Sequence, residues 1–289
     1  MEKNMPKPSA PVPSTPVIDF HVHLADYEWF SQSTLEWLQT LNPIPFEEIR
    51  ETYKDPQTFV AFLKECGVDY AVILAELSPI TTGIATNEQV EEFCQGYPSL
   101  IPFACINPYL ENNLPQRLEE LVVKRGFRGL KLYPTYQYFY PNDNQLYPLY
   151  AAAQELRIPL MFHTGSSVFK GARLKYGDPL FFDDLAVDFP DLNILMVHSG
   201  RGFWYDRAFF LARLHPNLYM EIAGLPPSRL LTYFPEFERN ADKIVFASDW
   251  PGTPDLKKNI QQIRDLPIAP SAVEKILGGN AARILGLSV

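Results

Sequence analysis

Residues 18–23 read Ile18-Asp19-Phe20-His21-Val22-His23, an apolar run that ends on two histidines. Side chains alternate along a strand, so Asp19, His21 and His23 are expected on one face, with two imidazoles at the strand's end. The same ending recurs downstream. Ile158-Pro159-Leu160-Met161-Phe162 runs into His163, and Asn193-Ile194-Leu195-Met196-Val197 into His198. Lys243-Ile244-Val245-Phe246-Ala247-Ser248 runs into Asp249. Four of the five histidines thus close an apolar run; the fifth, His215, sits in a helix-to-strand turn and reads as structural. Continuous apolar runs imply strands buried on both faces, as in a parallel sheet covered by helices. In a closed barrel of such strands, the C-terminal ends form the face where active sites lie. This placement favours a (β/α)8 TIM barrel over the other alternating arrangement, a doubly wound open sheet.

Eight strands are expected, over residues 17–23, 68–75, 100–106, 127–133, 158–163, 193–198, 217–223 and 243–248. Helical patterns lie between and after them, at 56–66, 87–96, 114–125, 146–156, 180–189, 204–214, 225–237, 256–265 and 271–277. The stretch from Asp26 to Asp55 is long for one connection and carries Trp29, Phe30, Trp37 and Phe46, so a helical excursion over the barrel mouth is expected after the first strand. Residues 1–16 hold five prolines and little periodicity, and read as a flexible arm rather than a secretory signal. Residues 17–289 then form one domain, since a chain of 289 residues fits one such barrel of about 250 residues as well as two smaller units.

Composition narrows the partners. With 46% hydrophobic residues the chain has a substantial core, and a net charge of −9 argues against nucleic acid and anionic membranes. No apolar run has the length of a membrane span. Cys66, Cys94 and Cys105 form no disulfide framework, which suits a cytoplasmic location.

The histidine runs, with Gly129-Leu130-Lys131-Leu132-Tyr133-Pro134, His163-Thr164-Gly165, His198-Ser199-Gly200, Ser248-Asp249-Trp250-Pro251 and Gly279-Asn280-Ala281, occur in the order seen in the amidohydrolase superfamily. More narrowly, the chain resembles the amidohydrolase-related group (amidohydrolase 2) of TIM-barrel metal-dependent hydrolases and decarboxylases. The resemblance implies one divalent metal, most often Zn2+ with Mn2+ or Fe2+ as alternatives, on His21, His23, His163 and Asp249. It implies His198 as a polarising or acid/base group, and Asp249 also as proton shuttle. Asp19 is expected to support a histidine. In binuclear relatives a carboxylated lysine bridges two metals; here the context of Lys131 resembles the mononuclear group, so a free amine that binds substrate is expected.

The loop from Tyr133 to Pro141 places five aromatic residues in eight positions, Tyr133, Tyr136, Tyr138, Phe139 and Tyr140, after the strand that carries Lys131. Such rings suit either a wall against a planar substrate or a packed interface. Trp250 and Trp29 are candidates for the same wall. Arg201 is placed to hold a substrate carboxylate or to pair with Asp206. Tyr133, Lys131, Arg201 and Trp250 are therefore the candidate substrate-binding residues.

The expected function is hydrolysis of a small cyclic or carboxylated molecule, a lactone or amide, by metal-bound hydroxide, with His198 stabilising the oxyanion. The alternative is non-oxidative decarboxylation at the same site, and a non-catalytic binding barrel is the third reading. The partner is a small molecule, and the resemblance is compatible with a homodimer.

Overall fold

The computed structural model describes residues 15–288. Eight parallel strands lie side by side in chain order. They are β1 (Ile18–His23), β2 (Tyr70–Leu74), β3 (Leu100–Cys105), β4 (Leu130–Leu132), β5 (Leu160–His163), β6 (Ile194–Val197), β7 (Leu218–Glu221) and β8 (Ile244–Val245). Each falls within one of the apolar runs named above. Backbone hydrogen bonds bring the eighth strand back to the first: Phe20 N donates to Phe246 O at 3.2 Å, Asp249 N to His21 O at 3.0 Å, and His23 N to Trp250 O at 2.8 Å. The result is a TIM barrel in a single domain.

Two apolar layers follow from strand alternation. Ile18, Phe20, Val72, Leu74, Ile101, Phe103, Met161, Leu195 and Tyr219 share the barrel interior. Ile73, Leu130, Leu132, Leu160, Phe162, Ile194, Met196 and Leu218 face the surrounding helices. Met161 is followed two residues later by His163, Tyr219 by Glu221, and Gly129 by Lys131. Each inward face therefore carries a polar group at its upper end. Gly129 is required there, because a Cβ would lie 2.2 Å from the Phe103 ring.

β1 departs from simple alternation. Asp19 pairs with Ala71 and Val22 with Ile73, so β1 holds one residue more than β2 across this interval. Phe20 belongs to the interior layer and Val22 to the outer one, so the face changes within the bulge. The expectation that Asp19 shares a face with His21 and His23 is thereby corrected. Asp19 Oδ1 instead accepts the amide of His21 at 3.2 Å and that of Ser248 at 2.9 Å, joining the bulge to the segment after β8.

The excursion after β1 forms as expected, with helices α1 (Gln32–Leu41) and α2 (Phe46–Tyr53), followed by α3 (Pro56–Cys66). α3 shows why its bounds were readable: Asp55 caps it by accepting from Thr58 N, Pro56 opens it, and Gly67 closes it at φ 80°. A small antiparallel sheet of Trp29–Phe30, Gly83–Ala85 and Glu76–Ser78 ties the excursion to the end of β2. The helix expected over 225–237 is a correction. Only Leu230–Tyr233 is α-helical, after a 3-10 turn at Pro227–Arg229, and Glu236 breaks the run at φ 63°. Of the arm, residues 1–14 lie outside the described residues. At its end the Pro16 carbonyl packs on Gly278, where a Cβ would lie 1.6 Å away. No helix among the described residues is long and apolar enough to cross a membrane.

Candidate metal centre

The strand ends meet in one small cavity, lined by His21, His23, Lys131, His163, His198 and Asp249 among others. Asp249 Oδ1 lies 3.3 Å from His21 Nε2 and 3.4 Å from His23 Nε2, and those two nitrogens are 3.0 Å apart. These three residues are the group that places possible metal-ligand atoms within 4.8 Å of one another among the described residues. Asp249 adopts φ 69°, and His198 and Ser199 adopt 61° and 48°, so three residues of the strand ends hold left-handed backbones.

The state of each imidazole follows from its second nitrogen. His21 Nδ1 sits 2.8 Å from Glu221 Oε1, and a carboxylate oxygen accepts, so His21 Nε2 keeps its lone pair for a ligand. The Tyr27 hydroxyl donates to Glu76 Oε2 at 2.9 Å, so the His23 Nδ1 lying 2.7 Å from that hydroxyl is the donor, and its Nε2 is free as well. Burial and the Glu76 carboxylate push the Tyr27 hydroxyl well above its usual range, which keeps the proton on it. Burial also holds His21, His163 and His198 well below the ordinary imidazole value, so they stand neutral. For Asp249, burial works against ionisation, yet the carboxyl is held down to about 2, with the Arg201 guanidinium among the groups that lower it. His163 lines the same cavity, stands outside the three-residue group, and has its buried Nε2 without a hydrogen-bond partner.

Neutral imidazoles with free lone pairs, an ionised carboxylate and an orphaned ring nitrogen fit a divalent cation. His21, His23 and Asp249 would hold it, with His163 as the fourth candidate.

Lys131 is fully buried, and its Nζ has no hydrogen-bond partner. Burial lowers it from the usual lysine value, while the Glu221, Asp249 and Glu76 carboxylates favour its cationic form. The half-buried Arg201 donates from Nη2 to the Ser166 carbonyl at 3.1 Å and forms no ion pair with Asp206 among the described residues. Tyr133 lines the cavity and donates its hydroxyl to Ala75 O at 3.0 Å. Tyr136 also lines it, stacked near Tyr133 at 5.9 Å and close to the His163 ring at 4.6 Å. The rest of the aromatic loop packs elsewhere, and Trp29 is exposed. Trp250 is a correction: it turns outward and packs on Tyr53, Phe59 and Phe62, at 5.4, 4.9 and 5.8 Å, because the left-handed Asp249 directs its own side chain into the mouth. Trp37 and Phe169, 5.0 Å apart, complete the wall instead.

Two carboxylates were missed from the sequence. Glu221 ends β7, where Oε2 accepts the amides of His198 at 3.0 Å and Ala223 at 3.1 Å; burial raises its carboxyl, while Lys131 and these two amides hold it down. Glu76 directly follows the run 68–75. The rule that found the histidines, a polar residue closing an apolar run, also picks out Glu76 when it is not restricted to histidine and aspartate; Glu221 sits inside the run 217–223 and is not found that way.

His215 pairs with Asp183 at 2.6 Å, away from the cavity, consistent with a structural role.

A sequence profile described as amidohydrolase matches residues 18–287. Among solved structures, an uncharacterised TIM-barrel protein from Bordetella bronchiseptica superposes with a TM-score of 0.76 at 24% identity, covering 94% of this chain and 99% of that one. A 2,6-dihydroxybenzoate decarboxylase from Rhizobium gives 0.68 at 18% identity, covering 94% and 99%. A 5-carboxyvanillate decarboxylase from Novosphingobium aromaticivorans, complexed with manganese and 4-hydroxy-3-methoxy-5-nitrobenzoic acid, gives 0.69 at 14% identity, covering 94% and 96%. The profile spans nearly the whole barrel, and the chain belongs to the amidohydrolase family.

Proposed function

We propose that the protein is a metal-dependent, non-oxidative decarboxylase of small planar aromatic acids. The observation that carries this reading is the make-up of the cavity. An unpartnered buried lysine and an arginine share it with the His21–His23–Asp249 group, beneath Trp37, Tyr136 and Phe169. Two cations suit an anionic substrate, and flat walls suit a ring. The decarboxylases of aromatic acids from Rhizobium and Novosphingobium aromaticivorans, which share the fold, support it.

Hydrolysis, the main expectation from the sequence, asks His198 to give a hydrogen bond to a developing oxyanion. His198 Nδ1 lies 2.8 Å from the Ala223 carbonyl, which can only accept, so Nδ1 carries the hydrogen. In the neutral ring, Nε2 then accepts rather than donates. That suits a base taking the proton of a substrate hydroxyl.

In this reading Lys131 and Arg201 bind the substrate's anionic oxygens, and the aromatic wall orients the ring. A bound divalent cation supplies Lewis-acid polarisation of substrate oxygens. Zinc is the metal expected from the resemblance, and manganese, named with the Novosphingobium enzyme, stands beside it. His198 accepts a ring-hydroxyl proton. Asp249 takes up a proton from solvent and delivers it to the ring carbon that bears the carboxylate; the carbon–carbon bond then breaks, its electron pair restores the aromatic ring as CO2 departs, and His198 returns the hydroxyl proton to the ring oxygen.

The test is a panel assay of the manganese- and zinc-loaded chain against hydroxylated benzoates, lactones and amides. CO2 release from an aromatic acid without net uptake of water is the expected outcome. Lactone or amide hydrolysis without CO2 release overturns it in favour of hydrolysis, and inertness across the panel overturns it in favour of a binding barrel.

A further inference from the structure

Glu76 and Tyr27 line the cavity, yet the reaction as drawn leaves both unused. Glu76 is 3% exposed, and both of its oxygens are engaged: Oε2 by the Tyr27 hydroxyl at 2.9 Å and Oε1 by the Thr82 hydroxyl. Glu76 Oε2 is itself 3.7 Å from His23 Nδ1, too far to bond directly, and the Tyr27 oxygen lies 2.7 Å from that nitrogen. Tyr27 therefore stands between the histidine and the carboxylate.

The surroundings hold this chain of groups in place. Tyr27 stacks on Phe30 with ring centroids 4.4 Å apart and planes 12° from parallel. A Cβ on Gly83 would lie 3.0 Å from the Tyr27 ring and 2.4 Å from the Trp29 carbonyl, so only glycine lets this hairpin approach. The Thr82 carbonyl accepts from Ser31 N at 2.9 Å, anchoring the hairpin to the start of α1. Tyr27, Glu76 and Thr82 thus come from the excursion and the small sheet, outside the barrel strands.

We infer that Thr82, Glu76 and Tyr27 form a relay of positioning residues that fixes the ring and tautomer of His23 and so sets how tightly the centre holds a divalent cation. The inference rests on the metal-site part of the proposed function and not on the reaction. Groups that orient a metal-bound histidine typically alter affinity by about 10–100-fold when removed.

The test is Mn2+ binding to the purified full-length chain, followed by the paramagnetic resonance signal of the free ion, with the melting temperature of the metal-free protein measured in parallel. Wild type is expected to bind about one ion, and absence of binding overturns the metal site itself. Tyr27→Phe is expected to weaken binding by about 10–100-fold. Tyr27→Phe with Glu76→Gln is expected to bind no more weakly than Tyr27→Phe alone, because Glu76 acts through the hydroxyl. Wild-type affinity in Tyr27→Phe, or a double variant whose loss is the product of the two single losses, overturns the relay while leaving the metal site intact. Thr82→Val removes only the far donor and covers the case in which Tyr27→Phe does not fold. A several-fold loss supports the relay, and unchanged affinity overturns it. Val168→Ala, on the exposed rim of the same cavity, is expected to bind as wild type does.

Discussion

A histidine binds a metal through a lone pair, and the partner of its other nitrogen decides whether that lone pair is available. Glu221 does this for His21, and Tyr27 for His23. His163 presents the complementary case, a buried Nε2 with nothing on it, where an orphaned polar atom costs about 1–3 kcal/mol. A bound cation would relieve that cost. His163→Ala is therefore expected to lower both metal affinity and activity by at least about 100-fold, more than the loss of an outlying partner. Elemental analysis of the purified variant checks this, and one full equivalent of metal would remove His163 from the ligand set. Lys131 belongs to the same scale. Its charge lies among carboxylates with no direct bond to any of them, which leaves its hydrogens for substrate.

At the scale of the element, the bulge in β1 turns His21 and His23 toward the mouth, and Asp19 stabilises it by accepting two amides. Asp19→Ala leaves two buried N–H groups without an acceptor and is expected to cost about 2–5 kcal/mol. Asp19→Asn, which retains a carbonyl oxygen, is expected to cost less. Urea unfolding distinguishes them; equal midpoints for Asp19→Ala and wild type would show that the tie carries no stability. The bulge also marks where the sequence stops being readable. Apolar runs such as Leu160-Met161-Phe162 announce strands because they are buried on both faces, but an inserted residue leaves no trace in hydrophobicity. Leu230, Phe234 and Phe237 have helical spacing, yet Pro226, Pro227 and a left-handed Glu236 let short turns bury the same side chains. The small sheet of Trp29–Phe30, Glu76–Ser78 and Gly83–Ala85 was equally hidden, because strands of two or three residues lack the length to show a period. The candidate ligand residues could be named from their strand-end positions. The roles of the groups that orient them could not, since Glu76 meets His23 only through contacts distant in sequence.

At the scale of the whole molecule, one barrel gathers its polar groups at one mouth, so metal binding bears on the stability of the entire domain. A ligand that binds only the folded state at a concentration 100 times its dissociation constant adds about 2.7 kcal/mol of stability. For a domain of this size that corresponds to a rise of roughly 5–10 °C in melting temperature. Scanning calorimetry with Mn2+ present, and again after chelation, is expected to show the rise and its reversal; identical curves would mean that the native fold gains nothing from the metal. The stack of Phe30 on Tyr27 extends this connection to the substrate, because Phe30 lines the cavity and Tyr27 holds His23. A ring pressing on Phe30 and a cation drawn to His23 act on the two ends of one contact. Thermodynamic reciprocity then requires that whatever factor a substrate contributes to metal retention, the metal contributes to substrate affinity.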